Sequence, residues 1–177
     1  MLYTGAGDDG KTKLFDCDQW KISKSSEIPE ALGALDELNA FLGFVKVHAA
    51  DSPRIALAIR ETQENLFIVQ AEIAGANKEI EKSAVKNIED LINEIEKEIS
   101  PIKNFSIAGG TELSALLDVA RTLARRAERR VIAVHEMNTR KISDETMAYM
   151  NRLSSLLFAL ARLANHQTDI EEESPHY

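Results

Sequence analysis

Apolar residues recur at steps of three and four along most of the chain, and this spacing restricts the fold more than any other feature of the sequence. The clearest series is Leu113, Leu116, Ala120, Leu123, Ala127, Val131 and Val134. Side chains spaced in this way lie along one face of an α-helix, where they can be buried together. Four similar series complete a prediction of five helices, at residues 30–49, 53–75, 83–99, 112–138 and 143–165.

Residues suited to helix ends stand at these boundaries. Pro53 falls at a first-turn position, and Ser143 with Thr146 marks the start of the last helix. Gly75 and the Ser100–Pro101 step end the second and third helices. No stretch alternates convincingly between apolar and polar residues, so the predicted fold is all-α, an antiparallel bundle of five helices.

The length and composition fit a single domain that spans residues 1–177. The chain is 44% hydrophobic and 28% charged, which is typical of a globular protein with a sizeable core. Residues 1–29 hold several glycines and lack a helical series, residues 30–165 form the bundle, and residues 166–177 form a polar tail whose end we expect to be mobile.

The charge balance argues against broad binding to polyanions. Lys and Arg number 21 against 29 Asp and Glu, a net charge of -8, so we expect no nucleic-acid or membrane partner, and any anion site must be local. The single cysteine, Cys17, can form no internal disulfide, which fits a reducing compartment. The first residues lack the apolar core of a signal peptide. A cytoplasmic protein is expected.

The segment GAGDDGKT, residues 5–12, matches the phosphate-binding loop pattern of nucleotidases through Gly5, Gly10, Lys11 and Thr12. That pattern works between a buried strand and a helix, and neither is predicted here. The two aspartates would also repel phosphate. A true phosphate loop is therefore disfavoured, and the segment is either an anion-binding turn of exposed backbone N–H groups or a simple turn.

The segment RTLARRAERR, residues 121–130, places five arginines in an acidic protein. At about 100° per residue, Arg121, Arg125, Glu128 and Arg129 share one helix face, whereas Arg126 and Arg130 turn toward another neighbour. Converging guanidinium groups suit a triphosphate, and Glu128 could hold one arginine in a fixed rotamer. The alternative is a solvated face of ion pairs, and the residues alone leave both open.

The last predicted helix carries a polar edge that includes Asn151. This side chain suits nucleotide recognition but equally an interhelical hydrogen bond. A di-iron site is disfavoured because the only Glu-x-x-His match, Glu173 with His176, lies in the tail. The lone His135 leaves a histidine phosphotransfer bundle as an alternative function, although such a residue is more often a cap.

Taken in order, these segments resemble the PduO-type ATP:cob(I)alamin adenosyltransferases. The matching stretches are YTGAGDDGKT at residues 3–12, Lys24, GALDELNAFLG at 33–43, ENLFIVQAEIA at 64–74, FSIAGG at 105–110, RTLARRAER at 121–129 and NRLSSLLFALAR at 151–162. The resemblance implies a homotrimer with active sites between subunits. It also implies transfer of the 5′-deoxyadenosyl group of ATP, carried with Mg²⁺, to the cobalt of cob(I)alamin.

The resemblance further implies roles for individual residues. Arg125, Glu128 and Arg129 are the expected catalytic residues. The expected ATP-binding set comprises these three with Thr4, Gly5, Ala6, Gly7, Thr12, Lys24, Arg126 and Asn151. Phe105 is similar to an aromatic residue that lies against the corrin and keeps its lower ligand off cobalt. Asp36 and Arg121 are expected to pair across the subunit interface, and no protein side chain is expected to bind a metal.

Three positions depart from the family pattern, namely Gly5, Ala108 and Ser155. The usual residues there are a basic residue, a proline and an acid.

A cobalamin reductase and an adenosylcobalamin-dependent enzyme are the protein partners that the resemblance implies.

Overall fold

The computed structural model describes residues 2–15, 21–102 and 104–176, so Cys17 lies outside the described residues. Five helices dominate it. They are α1 (Glu27–His48), α2 (Pro53–Ile73), α3 (Lys82–Glu98), α4 (Glu112–Glu136) and α5 (Asp144–His166). Two short strands, β1 (Lys11–Thr12) and β2 (Ile22–Ser23), precede the helices.

All five predicted helices are confirmed, and their ends differ little from the predicted ones. Pro53 opens α2, and the hydroxyl of Ser143 accepts a hydrogen bond from the Thr146 N–H at the start of α5. The largest difference is at α1, which begins at Glu27 and takes Pro29 into its first turn. Proline is tolerated there because the first-turn N–H groups have no partner within the helix.

The strands β1 and β2 are not predicted by the sequence pattern. They pair antiparallel, with Lys11 opposite Ser23 and Thr12 opposite Ile22. A ladder of two residues a side is too short to produce a detectable alternation in sequence, because a period of two needs at least four residues to repeat. The described part of the N-terminal segment therefore contains a short two-stranded antiparallel ladder ahead of α1.

The helices pack in the order α3, α5, α4, α1, α2, each against its neighbours in that series. Ion pairs between α1 and α4 join Glu37 to Arg126 and Glu30 to Arg130, so these helices run antiparallel. By contrast, α3 and α5 run parallel, since Glu89 meets Arg152 while Ser100, further along the chain, meets Arg162. This pair departs from the antiparallel prediction because α3 and α5 pack side by side although one helix, α4, separates them in sequence, so the chain reverses direction twice between them.

The predicted apolar series form the core. Leu35, Leu38 and Leu42 of α1 have no exposed surface, and α5 is buried along most of its length. Helix α5 supplies the centre of the bundle because its residues 153–165 are apolar on almost every side, as expected for a helix surrounded by others. Among the described residues, no helix is long and apolar enough to cross a membrane.

The turn before α4 is tied to the end of α5. Asn165 donates from Nδ2 to the Gly109 carbonyl at 2.9 Å and accepts at Oδ1 from the Thr111 N–H at 3.0 Å. Gly109 and Gly110 both have positive φ, at 123° and 108°. A Cβ on Gly110 would lie 2.4 Å from Asn165 Oδ1, whereas one on Gly109 would meet nothing within 4 Å. Gly110 is therefore required by close packing as well as by its backbone conformation.

The polar tail is attached to the body of the protein through at least Glu173. Glu172 accepts a hydrogen bond from Arg162 Nε at 2.7 Å, and Arg162 also donates to the Ser100 carbonyl at 2.8 Å. The Glu173 carbonyl accepts from the Ile107 N–H at 2.8 Å. The tail thus contacts α5 and the loop that precedes α4, and Arg162 links it to Ser100, just after α3.

We predict that Gly110→Ala destabilises the protein more than Gly109→Ala does. Both changes place a side chain at positive φ, which costs on the order of 1–3 kcal/mol. Only Gly110→Ala also displaces Asn165 and breaks its two hydrogen bonds, each worth about 1 kcal/mol. Urea unfolding followed by circular dichroism measures the difference, and equal losses for the two variants would show that the contact with Asn165 contributes nothing.

Candidate active site

Three of the five arginines on α4 are paired within the chain. Arg121 donates from Nε to Asp118 Oδ1 at 3.0 Å, one helical turn away. Arg126 pairs with Glu37 of α1. Arg130 Nη2 lies 3.4 Å from Oε2 of Glu30, which is also on α1. The prediction that Arg126 and Arg130 turn toward a different neighbour from the other three arginines is therefore confirmed, and that neighbour is α1.

Arg125 and Arg129 differ from the other three. Both are exposed, and neither forms an ion pair or hydrogen bond with any residue that the structure describes. They stand one turn apart on α4, so their guanidinium groups leave the helix on the same side. An ion-paired surface accounts for Arg126 and Arg130, but it leaves these two cations without a partner and available for an anion.

Glu128 lies on this side of α4 and contacts α5. Its Oε1 accepts a hydrogen bond from Asn151 Nδ2 at 3.1 Å, and Asn151 Oδ1 accepts from Arg152 at 3.0 Å. Arg152 in turn pairs with Glu89 of α3 at 3.1 Å. The arginine partner expected for Glu128 is not observed, because Asn151 reaches its carboxylate from the neighbouring helix. A polar chain thus runs from α4 across α5 to α3.

The N-terminal loop brings Lys24 over Gly7. A Cβ on Gly7 would lie 2.7 Å from Lys24 Nζ, so the ammonium group occupies the space that any side chain at position 7 would need. The Thr4 hydroxyl accepts from the Ala6 N–H at 3.3 Å, and Gly5 takes a positive φ of 68°. Four of the residues predicted for ATP therefore lie in one compact turn together with Lys24.

A second lysine fixes the shape of this loop. Lys21 Nζ donates to the Ala6 carbonyl at 3.0 Å and to Asp9 Oδ2 at 2.8 Å. The hydrogen bond from Lys21 lowers the pKa of Asp9 below its ordinary value, and the Lys11 N–H adds to this effect. After Gly10 the chain enters β1 and not a helix. The phosphate loop of nucleotidases is thus excluded, because its helix N-terminus is missing.

Phe105 lies in the loop between α3 and α4 and is exposed to 78% of its surface. Ile102 and Ile107 of the same loop are also exposed. Three exposed apolar side chains in one loop are unusual for a solvated turn and are typical of a ligand or protein contact. Two backbone N–H groups anchor the loop: that of Ile107 donates to the Glu173 carbonyl, and that of Gly109 donates to the Asp118 carboxylate.

Asp36 is exposed on α1 and has no partner among the described residues, whereas Arg121 has two. Besides its bond to Asp118, the Arg121 guanidinium lies 5.9 Å from the centre of the Phe158 ring. Asp118 is a site residue that the sequence patterns miss. Its spacing of three from Arg121 on a helix is the signal that could have identified it.

His135 has a structural role in the turn after α4. Its Nδ1 accepts a hydrogen bond from the Ile142 N–H at 3.2 Å, so the ring caps this turn. The contact accounts for the residue without a phosphotransfer function. In the described parts of the chain, no group of three or more histidine, cysteine or acidic side chains could hold a metal ion.

A cavity of about 540 Å³ lies between α2, α3 and α5, away from the arginines. Tyr149 of α5 forms part of its wall and accepts a hydrogen bond from Asn65 at 3.2 Å, and burial raises the pKa of this phenol. Tyr149 and Asn151 leave α5 about 200° apart. The cavity and the predicted nucleotide site therefore lie on opposite sides of α5.

Known proteins resemble this chain over nearly its whole length. The family model for cobalamin adenosyltransferase matches residues 2–164. The corrinoid adenosyltransferase PduO of Salmonella typhimurium is 37% identical over 97% of this chain and 53% of its own length. The corrinoid adenosyltransferase of Bacillus subtilis is 32% identical over 96% of this chain and 89% of its own length. The chain therefore spans about half of the Salmonella relative and most of the Bacillus one.

Solved structures match the fold closely. A variant PduO-type ATP:corrinoid adenosyltransferase from Lactobacillus reuteri, complexed with cobalamin and ATP, superposes with a TM-score of 0.92 at 27% identity, over 99% of this chain and 97% of that one. A second variant of that enzyme, complexed with ATP, gives 0.91 at 28% identity, over 99% and 100% of the two chains. From these matches in sequence and fold, the chain belongs to the cobalamin adenosyltransferase family.

Proposed function

We propose that the protein transfers the 5′-deoxyadenosyl group of ATP to the cobalt of cob(I)alamin, giving adenosylcobalamin and triphosphate. The observation that carries this proposal is a pair of guanidinium groups, Arg125 and Arg129, that have no partner among the described residues and lie beside the Glu128–Asn151 hydrogen bond. Relatives at 32% to 37% identity are corrinoid adenosyltransferases, and similar structures hold ATP and cobalamin.

The reaction needs no nucleophile from the protein. The electron pair of Co(I) attacks C5′ of ATP, the Co–C bond forms, and the C5′–O bond breaks with its electrons leaving on triphosphate. The protein therefore contributes position and charge. This requirement agrees with a site built mainly from cationic side chains, the Asn151 amide and the Glu128 carboxylate, in which the described residues include no nucleophile paired with a base.

Arg125 and Arg129 act on the leaving group. Negative charge on the triphosphate grows as the C5′–O bond breaks, and cations already in position stabilise it without reorganisation. Arg126 belongs to the same proposed set, with its pair to the exposed Glu37 exchanged for phosphate when ATP binds. Mg²⁺ enters with ATP, since phosphate oxygens are its preferred ligands, and adds its own charge.

Glu128 and Asn151 hold the nucleoside. Their mutual hydrogen bond fixes the amide and carboxylate at the junction of α4 and α5, where both retain further hydrogen-bonding capacity. The ribose hydroxyls and the adenine amino group are the parts of ATP that need such donors and acceptors. The link through Arg152 to Glu89 restrains Asn151 before the substrate arrives.

The turn that contains Thr4, Gly5, Ala6 and Gly7, with Thr12 and Lys24, wraps the phosphates. Backbone N–H groups of a glycine-rich turn bind anions, and the Lys24 ammonium above Gly7 supplies a full charge there. Phe105 contacts the corrin from its exposed loop. An apolar group on the lower face of the corrin keeps the lower ligand off cobalt, which favours reduction to Co(I).

A homotrimer in which neighbouring subunits share each site is the assembly that we propose. Phe44 and Val47 of α1 and Val119 of α4 are exposed to 50%, 70% and 46%. They lie on a pair of helices joined near the middle by Glu37–Arg126, and at one end by a 3.6 Å approach of His48 Nε2 to Glu112 Oε1. Covering these apolar side chains would bring Asp36, which has no partner in the described parts of the chain, into an interface where Arg121 of another subunit is its proposed partner.

Two protein partners follow from the chemistry. Co(I) must be supplied by reduction of a more oxidised corrinoid, so a cobalamin reductase acts before this enzyme. An adenosylcobalamin-dependent enzyme consumes the product.

We predict that Arg125→Ala reduces the adenosylation rate about a hundredfold or more, because one preorganised charge at the leaving group is lost. Arg130→Ala is the matched control. It removes the same side chain from the same helix, but from the face paired with Glu30, and we expect a rate close to wild type. Both rates are measured with chemically reduced cobalamin as substrate, by following the absorbance of the product. Similar rates for the two variants would contradict the assignment.

The N-terminal turn gives a second prediction. Lys24→Ala should cost about 1.5–3 kcal/mol of ATP binding, which is about 10- to 100-fold in Kd, whereas Lys11→Ala should change it little. Gly7→Ala should resemble Lys24→Ala, because the new Cβ displaces the ammonium group while the flexible lysine spares the fold. Calorimetric titration with ATP and Mg²⁺ measures each Kd, and a larger loss for Lys11→Ala than for Lys24→Ala would reverse the assignment.

The assembly is tested by Asp36→Asn and Arg121→Ala. Breaking a desolvated charge pair at an interface costs roughly 2–5 kcal/mol, so each variant should weaken the trimer. The double variant should lose little more than either single one, since both remove the same pair. Sedimentation velocity and activity at several protein concentrations measure the effect, and an active monomeric wild type would refute the shared site.

A further inference from the structure

Asp118 is a buried carboxylate that joins two parts of the candidate site. It lies on α4 and is 9% exposed. Its Oδ1 accepts from Arg121 Nε at 3.0 Å, and its Oδ2 accepts from the Gly109 N–H at 3.3 Å. Each oxygen is thus committed to a different element, one to the arginine helix and one to the loop before it.

On the loop side, this bond is one of few that position Phe105. The exposed Phe105 ring has little packing of its own, so the path of its backbone decides where the ring stands. Two backbone N–H groups of the loop are anchored, Ile107 to the Glu173 carbonyl and Gly109 to Asp118. Of these two N–H groups, only that of Gly109 bonds the helix that carries the arginines. The Gly109 carbonyl is held as well, by Ser114 Oγ of α4 at 3.0 Å and by Asn165 Nδ2 of α5 at 2.9 Å.

On the helix side, Asp118 fixes the orientation of Arg121. The carboxylate holds the Nε edge of the guanidinium, and the Phe158 ring lies 5.9 Å from its central carbon. Arg121 stands one turn before Arg125 on the same face, so the residue that anchors the loop also orders the start of the arginine face.

We propose that Asp118 is a positioning residue that sets the distance between the loop carrying Phe105 and the arginine face of α4. This inference rests on the proposed function. Adenosyl transfer needs C5′ of the nucleotide and the cobalt of the corrin at bonding approach, and the two substrates are held by these two elements. A misplacement of about 1 Å between reacting groups can cost about a hundredfold in rate.

A carboxylate is required in this role because two acceptors are needed. Asparagine has one carbonyl oxygen, and its NH₂ group would face either Arg121 Nε or the Gly109 N–H, which are both donors. Asp118→Asn therefore breaks one of the two bonds while it preserves the size of the side chain. The side chain then no longer bridges Gly109 and Arg121, with little change in packing, while the bond from Ser114 Oγ of α4 to the Gly109 carbonyl remains.

We expect Asp118→Asn to lower kcat and raise the KM for the corrinoid, each about tenfold, while the Kd for ATP without corrinoid stays within about twofold of wild type. The absorption spectrum of bound cob(II)alamin gives a second readout. A displaced Phe105 should leave more of the corrinoid with its lower ligand on cobalt. In the background of Phe105→Ala, Asp118→Asn should then add little, because both changes act through the same ring.

Two controls separate positioning from general effects. Glu112→Gln removes another carboxylate from α4, at an exposed site away from Arg121, and should behave as wild type. Asn165→Ala loosens the same turn without touching Arg121. It should lower thermal stability more than Asp118→Asn does. If Asp118→Asn is too unstable to assay, Asp118→Glu keeps both oxygens but lengthens the tether, and should show the same rise in corrinoid KM.

Each outcome decides the proposal. Normal corrinoid kinetics and spectra in a folded Asp118→Asn protein would overturn it. Equal losses of ATP affinity and corrinoid affinity would also overturn it, since they indicate a structural role. An inactive wild-type protein that binds neither substrate would refute the proposed function itself, whereas an active wild type with an unaffected variant refutes only the role of Asp118.

Discussion

The packing of α4 between α1 and α5 is the constraint on which the candidate site depends. Its apolar residues Ala120, Ala124, Ala127 and Val131 are fully buried, and this fixes the rotation of the helix about its axis. Once the rotation is fixed, every arginine between residues 121 and 130 has a determined direction. Two of them meet carboxylates of α1, while Arg125 and Arg129 emerge at a surface where no described acid reaches them.

Local charge matters more than net charge in this protein. The chain carries a net charge of -8, yet Arg125, Arg129 and Lys24 have no acidic partner among the residues that the structure describes, unlike the cations near them. Ion pairs at the edges of the helix keep Arg126 and Arg130 occupied. The overall field repels polyanions at long range, whereas a small anion close to these groups experiences mainly the nearby positive charges, because salt screens the rest.

Backbone contacts made by loops complete the arrangement that the helices begin. Gly110 admits Asn165 at a distance that no other residue would allow, and this contact holds the start of α4 against the end of α5. The tail adds a further anchor at Ile107. The loop with Phe105 is therefore held at Ile107 by the tail and at Gly109 by Asp118, although its apolar side chains are largely exposed.

The sequence by itself determined the five helices, because helical periodicity is a local property that each segment carries. It also separated Arg126 and Arg130 from the other arginines, since 3.6 residues per turn fix angular positions on any helix.

Only the tertiary structure decided which residues those helix faces contact. The contact of Asn165 with Thr111 spans 54 residues, the parallel course of α3 and α5 depends on the whole bundle, and Glu128 bonds Asn151 in place of the expected arginine. The second partner of Asp118, the Gly109 N–H, is likewise evident only in the folded structure, where the loop lies against α4. Such pairings depend on where distant segments return in space, and no local pattern of residues encodes that position.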